Sequence, residues 1–121
     1  MKTTERTSAA FARAAREDRA VFVAYLTAGD PNLRATVALA RVLEKAGADV
    51  LELGVPFSDP VADGVTLQRA AARALAAGTT LDGVFAAAKE IRSVSEIPLV
   101  LFSYANPLHA RGFGQIGRAH V

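Results

Sequence analysis

One acidic side chain stands inside an otherwise apolar stretch of the sequence. Glu52 lies between Leu51 and Leu53, in a run that is typical of a buried strand. An ionised carboxylate costs free energy among apolar neighbours, so a nearby arginine or backbone amide could satisfy it. The alternative is a chemical role, because active sites of parallel β/α folds collect at the carboxyl ends of strands, where Glu52 is expected to lie.

The segment after Glu52 is a turn-rich loop with two further carboxylates, Asp59 and Asp63. Residues 54–64 read GVPFSDPVADG, and their two prolines restrict the backbone. Asp63 could cap the next helix or form an Asx turn. It could also act with Glu52 as a pair of carboxylates in two different environments, an arrangement that supplies one acid and one anion to a reaction.

Other polar and aromatic candidates are weaker. Tyr25 and Tyr104 come at the ends of the first and third expected strands, so they could line a pocket at the same edge as Glu52 or pack in the core. The two histidines, His109 and His120, stand in no metal-ligand pattern and are expected at the surface. The sequence has no cysteine and no Walker or dinucleotide loop, which excludes disulfides, thiolate metal sites and those two phosphate sites.

Charge and hydropathy exclude several kinds of partner. The 121-residue chain has a formal net charge of +2, and its cations are spread from Lys2 to Arg118. These cations form no basic stripe, so the sequence does not indicate a nucleic-acid or anionic-membrane partner. The amino terminus lacks the apolar block of a signal peptide, and the apolar runs are far shorter than the roughly 18–20 residues that span a bilayer. We expect a soluble cytoplasmic protein.

Short apolar runs alternate with amphipathic ones, which is the order of parallel β/α units. We expect strands over 21–26, 49–53 and 99–103, and helices over 7–19, 31–46 and 66–77, with a further helix after Thr80. The expected helix caps are Thr7 or Ser8, Asp30 and Thr80. Asn106 and Pro107 are expected in a loop. Because the strands are apolar at consecutive positions, both faces of the sheet are expected to be covered.

Several segments resemble the tryptophan synthase alpha chain. The longest is LELGVPFSDP at residues 51–60, followed by Ala62-Asp63-Gly64. Shorter resemblances occur at residues 26–31, 46–49, 76–80 and 103–107, so the likeness runs from about Ser8 to Gly112. Val65 departs from the pattern, since the family usually has proline after this glycine.

The resemblance implies a reaction, the retro-aldol cleavage of indole-3-glycerol phosphate to indole and glyceraldehyde 3-phosphate. Glu52 matches the general acid and base of the family, and Asp63 matches the aspartate that hydrogen-bonds the indole N–H. Tyr25, Leu101 and Phe102 match positions that line the substrate pocket.

The resemblance also implies a protein partner. Asp59, Pro60 and Asn106 match the region that faces the beta chain, with which the family forms an alpha2beta2 heterotetramer. Pyridoxal phosphate belongs to that beta chain, so no cofactor is expected in this chain.

The family fold is a (β/α)8 TIM barrel, which needs roughly 250 residues. We therefore predict the N-terminal portion of such a barrel over residues 1–114, an incomplete α/β domain with about three parallel strands. Residues 115–121 resemble a translated sequencing adapter. We interpret the chain as the product of a truncated gene model, inactive by itself, with a divergent exposed tail as the alternative.

Two other functions stay open on the sequence alone. One is a different phosphate-handling (β/α)8 enzyme. The long match over residues 52–64 argues against it. The other is a non-enzymatic half-barrel module that binds a partner and unfolds cooperatively at this length.

Overall fold

Three parallel strands form one sheet in the order β1-β2-β3. The computed structural model describes residues 2–116. The strands are β1 (Val23–Thr27), β2 (Val50–Gly54) and β3 (Leu99–Phe102). The helices are α1 (Thr3–Arg16), α2 (Leu33–Lys45), α3 (Val65–Ala76), α4 (Leu81–Val94), α5 (Ala105–Arg111) and α6 (Phe113–Ile116). The predicted α/β class and the three parallel strands are confirmed.

Helices cover one face of this sheet. Leu51 and Leu53 of β2 are fully buried there, and they pack with β1, β3, α2 and α4. The helix side chains in this core are Val37, Ala40, Ala87, Ala88 and Ile91. Successive strand residues point to opposite faces of the sheet, so every second one enters this core.

The opposite face of the sheet is largely uncovered within residues 2–116. Val23, Tyr25 and Phe102 are 43%, 36% and 54% exposed, and Glu52 shares this face. The expectation that both faces are covered is therefore wrong for the described part of the chain. Consecutive apolar residues in a strand do not show whether the covering layer lies in the same segment.

Several helix boundaries differ from those expected because other residues supply the caps. Helix α1 begins at Thr3, where the Glu5 carboxylate accepts from the Lys2 backbone N–H at 2.8 Å. Thr7 lies inside that helix and donates to the Thr3 carbonyl, so neither Thr7 nor Ser8 caps it. Thr80 caps α4 as expected, since its hydroxyl accepts from the Gly83 N–H.

The cap of α2 is Asn32 and not Asp30. The Asn32 side chain accepts from the Ala35 N–H at 2.8 Å, and the Asp30–Pro31 peptide before it is cis. Asp30 instead forms two hydrogen bonds with Arg73 of α3, at 2.8 and 2.9 Å. This contact ties the loop after β1 to α3.

Asn106 and Pro107 lie in α5, so the prediction of a loop at these two residues is wrong. Pro107 fits because it is the third residue of the helix, where its missing N–H has no intrahelical acceptor to lose. Gln115 and Ile116 of the predicted tail lie in α6, and residues 117–121 lie outside the described part of the chain.

A buried carboxylate fastens α1 to the amino ends of the strands. Asp49 is 2% exposed and accepts from Arg19, from the Phe22 backbone N–H and from Arg13, at 2.7 to 2.9 Å. The Arg19 guanidinium, followed by the Phe22 N–H and Arg13, holds the pKa of Asp49 well below its usual range. Ionisation of this group therefore stabilises the fold.

We expect Asp49→Asn to lower the free energy of unfolding by about 2 kcal/mol at pH 7, because the amide cannot replace charge-assisted bonds to two arginines. The folded pKa is depressed, so this stabilisation is fully present above the unfolded carboxyl's pKa of about 3.9 and is lost progressively as the pH falls from there through the lower folded-state pKa. Urea unfolding measured between pH 7 and pH 3 should show that the free energies of unfolding of Asp49→Asn and of the wild type become more similar as the pH falls.

The control for this experiment is Asp18→Asn, which removes a nearby exposed carboxylate. It should unfold like the wild type at each pH. An Asp49→Asn chain with wild-type stability at pH 7 would show that the buried network does not stabilise the fold.

Candidate active site

Glu52 occupies the middle of the central strand. Its register neighbours are Tyr25 on β1 and Val100 on β3, and the strand ends two residues later at Gly54. The residue is half-buried, on the sheet face that no described helix covers. Within residues 2–116 no arginine forms an ion pair with it, so the alternative of a glutamate satisfied by arginine finds no support there.

Two aromatic rings lie on the same face as Glu52. The ring centroids of Tyr25 and Phe102 are 6.1 Å apart, and the rings meet edge to face at 87°. This geometry is favourable for an aromatic pair. Together the rings form an exposed apolar wall near the carboxyl ends of the strands.

Leu101 lies on the other face of the sheet. It pairs with Leu53 and packs against the helix-covered core. The structure therefore brings together Tyr25, Phe102 and Glu52 but separates Leu101 from them. Its substrate contact stays a prediction, and its side chain starts from the opposite side of β3 to that of Phe102.

The loop after β2 is held by short-range turns. The Val61 N–H donates to the Asp59 carbonyl at 2.9 Å, and the Asp63 N–H donates to the Pro60 carbonyl at 3.1 Å. At the start of the loop, Val55 is buried. The loop thus leaves the sheet with a buried residue and reaches α3 through two turns.

Tyr104 fastens the far end of this loop. Its hydroxyl accepts from the Ala62 backbone N–H at 3.0 Å, and its ring lies 5.3 Å from that of Phe57. The sequence suggested Tyr104 only as a pocket wall or core residue. No local pattern could pair it with Ala62, because the two residues are 42 positions apart.

Asp63 precedes α3 without capping it. Gly64 is the cap residue and makes no side-chain capping bond, whereas the Asp63 carbonyl accepts from the Gln68 side-chain amide at 2.8 Å. The capping alternative is therefore wrong. The half-buried Asp63 carboxylate forms no ion pair within the described residues, so two acidic groups with no cationic partner, Glu52 and Asp63, flank the loop.

The predicted partner-facing residues lie around this loop. Asp59 and Asn106 are exposed, and Pro60 is half-buried. Asn106 lines a mainly apolar cleft of about 390 Å³ between the start of the loop and α5. Asp59 and Pro60 do not line this cleft.

The two histidines lie outside any metal-binding cluster in the described part of the chain, as far as it covers them. His109 is exposed on α5, with its ring 5.8 Å from that of Phe113, and His120 lies outside the described residues. Residues 2–116 contain no cluster of three or more histidine, aspartate or glutamate side chains that could hold a metal ion. None of the helices described is both long and apolar enough to cross a membrane.

Comparison with known proteins gives this arrangement a family. The family model described as tryptophan synthase alpha chain matches residues 11–120. The chain belongs to that family. The tryptophan synthase alpha chain of Solibacter usitatus is 53% identical over 102 residues, which are 84% of this chain and 38% of that one. That of Opitutus terrae is 49% identical over 114 residues, which are 94% of this chain and 43% of that one.

Solved structures of tryptophan synthase alpha subunits show the same arrangement of elements. The subunit from Legionella pneumophila str. Paris has a TM-score of 0.91 at 38% identity, over 94% of this chain and 44% of that one. A tryptophan synthase structure from M. tuberculosis in an aminoacrylate-bound form has a TM-score of 0.88 at 34% identity, over 94% and 46%. The predicted partial (β/α)8 barrel is thereby confirmed.

This tryptophan synthase alpha family chain spans about two fifths of the length of the curated relatives given above. The match of the family model reaches residue 120, within the segment that resembles an adapter. The origin of residues 115–121 stays a prediction.

Proposed function

We propose that this chain supplies the acid–base part of a site that cleaves indole-3-glycerol phosphate to indole and glyceraldehyde 3-phosphate. The observation that carries the proposal is the position of Glu52. Its half-buried carboxylate has no cationic partner in residues 2–116 and lies beside Tyr25, on the same face as Phe102. The family to which the chain belongs adds independent support.

In the proposed reaction, the bond between indole C3 and the glycerol side chain breaks. A proton is added to C3, and a proton is removed from the adjacent side-chain hydroxyl, which becomes the aldehyde of glyceraldehyde 3-phosphate. The electron pair of the broken bond returns to the indole ring. One carboxyl that gives up and takes back a proton, as Glu52 can, serves both transfers.

Asp63 has a different role in the proposal. Protonation at C3 places positive charge on the indole nitrogen, and an ionised carboxylate that accepts from its N–H stabilises this charge. The hydrogen bonds at Asp63 and Ala62 fix the backbone of the loop and leave the Asp63 carboxylate free for this contact. Tyr25 and Phe102 would pack against the indole ring.

The partner in the proposal is the beta chain, which carries pyridoxal phosphate and uses the released indole. Asp59, Pro60 and Asn106 would face it, because all three lie around the loop that ends at Asp63. We also propose a cytoplasmic location, since a charged phosphate ester does not cross a lipid bilayer unaided.

The 121-residue chain alone is proposed to be inactive. The phosphate group needs a site that barrel enzymes build after strands seven and eight, whereas the described residues form three strands. Release of indole by the isolated 121-residue chain at the rate of a full-length relative would contradict this point.

The test of the proposal is a chimera in which residues 8–112 replace the matching segment of the Solibacter usitatus alpha chain. Identity of 53% over the aligned region makes compatible packing a reasonable design. We expect cleavage of indole-3-glycerol phosphate within about tenfold of the parent rate. A folded chimera that binds the beta chain but does not cleave the substrate would favour the interaction module instead.

In this chimera, Asp63→Asn should lower kcat/KM by roughly a hundredfold or more, because a neutral amide stabilises the cationic ring less than a carboxylate does. Steady-state indole release measures the effect. The control is Asp18→Asn, which removes an exposed carboxylate in the turn after α1. This variant should behave like the unsubstituted chimera. Equal activity of the two variants would remove Asp63 from the mechanism.

A further inference from the structure

The ring of Tyr25 lies directly over the backbone of Gly54. A Cβ atom placed on Gly54 would be 1.9 Å from the Tyr25 Oη, 2.5 Å from its Cζ and 2.9 Å from its Cε2. These separations are far below van der Waals contact, which for carbon atoms is about 3.5–4.0 Å. The ring can occupy this place only because residue 54 has no side chain.

Backbone conformation does not explain the glycine. Positive φ angles occur at four other glycines, Gly29, Gly47, Gly78 and Gly112. Gly54 is the last residue of β2 and pairs with Thr27 and Phe102 in regular parallel register. Alanine would therefore suit the backbone here, and the conflict would be with the Tyr25 ring alone among the nearest atoms.

Gly54 lies next to Glu52, the proposed acid and base. Gly54 follows Glu52 by two residues, so both belong to the same face of β2. The Tyr25 ring extends from its position beside Glu52 towards Gly54, and the Phe102 ring meets it from the other side at 6.1 Å. The two rings thus come together across the middle strand, just beyond Glu52.

We propose that Gly54 is a positioning residue. Because it has no side chain, the Tyr25 ring can lie over β2, and Tyr25 and Phe102 then form one aromatic wall beside Glu52. The wall takes a flat aromatic ligand. The identity of that ligand as an indole rests on the proposed function, whereas the seating of the ring by Gly54 does not.

Gly54→Ala should move the ring more than it weakens the fold. Tyr25 is 36% exposed, and the atoms in conflict are at the outer end of its side chain, so the ring can swing towards solvent while the strands keep their register. The displaced ring would lose its contact with Phe102 and its place beside Glu52.

The first arm of the test uses the 121-residue chain labelled with fluorotyrosine. Its two tyrosines, Tyr25 and Tyr104, give two fluorine resonances. We expect Gly54→Ala to shift the Tyr25 resonance and leave that of Tyr104 in place. Gly114→Ala is the matched control, since a Cβ there meets nothing within 4 Å. An unmoved Tyr25 resonance in a folded Gly54→Ala chain would overturn the proposal.

The second arm measures the Kd of indole in the chimera described above. Gly54→Ala should raise this Kd by roughly tenfold, the loss of one good aromatic contact, and raise KM more than it lowers kcat. In a Tyr25→Leu background, where the conflicting atoms are gone, the same substitution should change the Kd less than about twofold. A tenfold effect in both backgrounds would show that Gly54 does not act through Tyr25.

The two arms separate this inference from the proposed function. If the unsubstituted chimera does not bind indole, the proposed ligand is wrong, and the fluorine spectra still decide whether Gly54 seats Tyr25. If the chimera binds indole and Gly54→Ala leaves the Kd unchanged despite a shifted Tyr25 resonance, the aromatic wall is not the ligand contact.

Discussion

Replacing Glu52 by glutamine in the chimera is expected to reduce cleavage of indole-3-glycerol phosphate by roughly a thousandfold, within the range known for loss of a general acid or base. Glutamine keeps the size of the side chain but can neither give up nor take back the proton. Since Glu52 has no ion-pair partner within residues 2–116, the substitution breaks no salt bridge in that segment. Binding of the substrate, measured by equilibrium dialysis, should stay close to that of the unsubstituted chimera.

The matched control is Glu90→Gln, the same change at an exposed position of α4 on the helix-covered side of the sheet. This variant should cleave the substrate at the unsubstituted rate. A loss of cleavage in both variants would point to general damage, and near-normal turnover by Glu52→Gln would remove Glu52 from its proposed role.

Leu51→Ala is expected to lower the free energy of unfolding of the chain by about 3 kcal/mol, through lost burial and the cavity left behind. Leu51 is fully buried, and its register neighbours are Ala24 and Leu99. Small neighbours such as Ala24 and Ala88 cannot extend into the space. Because whole domains are stable by only about 5–15 kcal/mol, this one change should remove a large part of the stability.

Urea unfolding followed by circular dichroism measures this effect, with Leu39→Ala as the comparison. Leu39 lies on α2 and is 40% exposed, so the same truncation there should cost well under half as much. Equal losses at the two positions would mean that the helix-covered face of the sheet is not the principal core.

The order of elements followed from the sequence because hydrophobic periodicity is a local signal. The runs around Val23, Leu51 and Leu99 are apolar and rich in strand-forming residues, and glycines follow α2 and α3. Their parallel pairing also followed, since whole helices separate the strands. The cap of α2 was harder to predict, because Asp30 and Asn32 both suit a helix start, and no local pattern shows that Asp30 pairs with the distant Arg73 instead.

The sequence alone could not predict which strand residues point to the helix-covered face of the sheet and which to the face of Glu52. In β3, Leu101 and Phe102 are both apolar, and only the pairing of Phe102 with Gly54 places Phe102 on the face of Glu52. A shift of one residue would exchange the two. The bond from Ala62 to Tyr104 and the ring of Tyr25 over Gly54 are likewise long-range contacts with no local pattern.

The central claim is that the Glu52 carboxyl transfers the proton during carbon–carbon bond cleavage. Its most direct test is the single-turnover rate of indole formation by the chimera at saturating substrate, with and without Glu52→Gln, because binding and product release then drop out. We predict that the glutamine variant retains less than about 1% of the rate. A variant that forms indole at more than about a tenth of the unsubstituted rate would contradict the account.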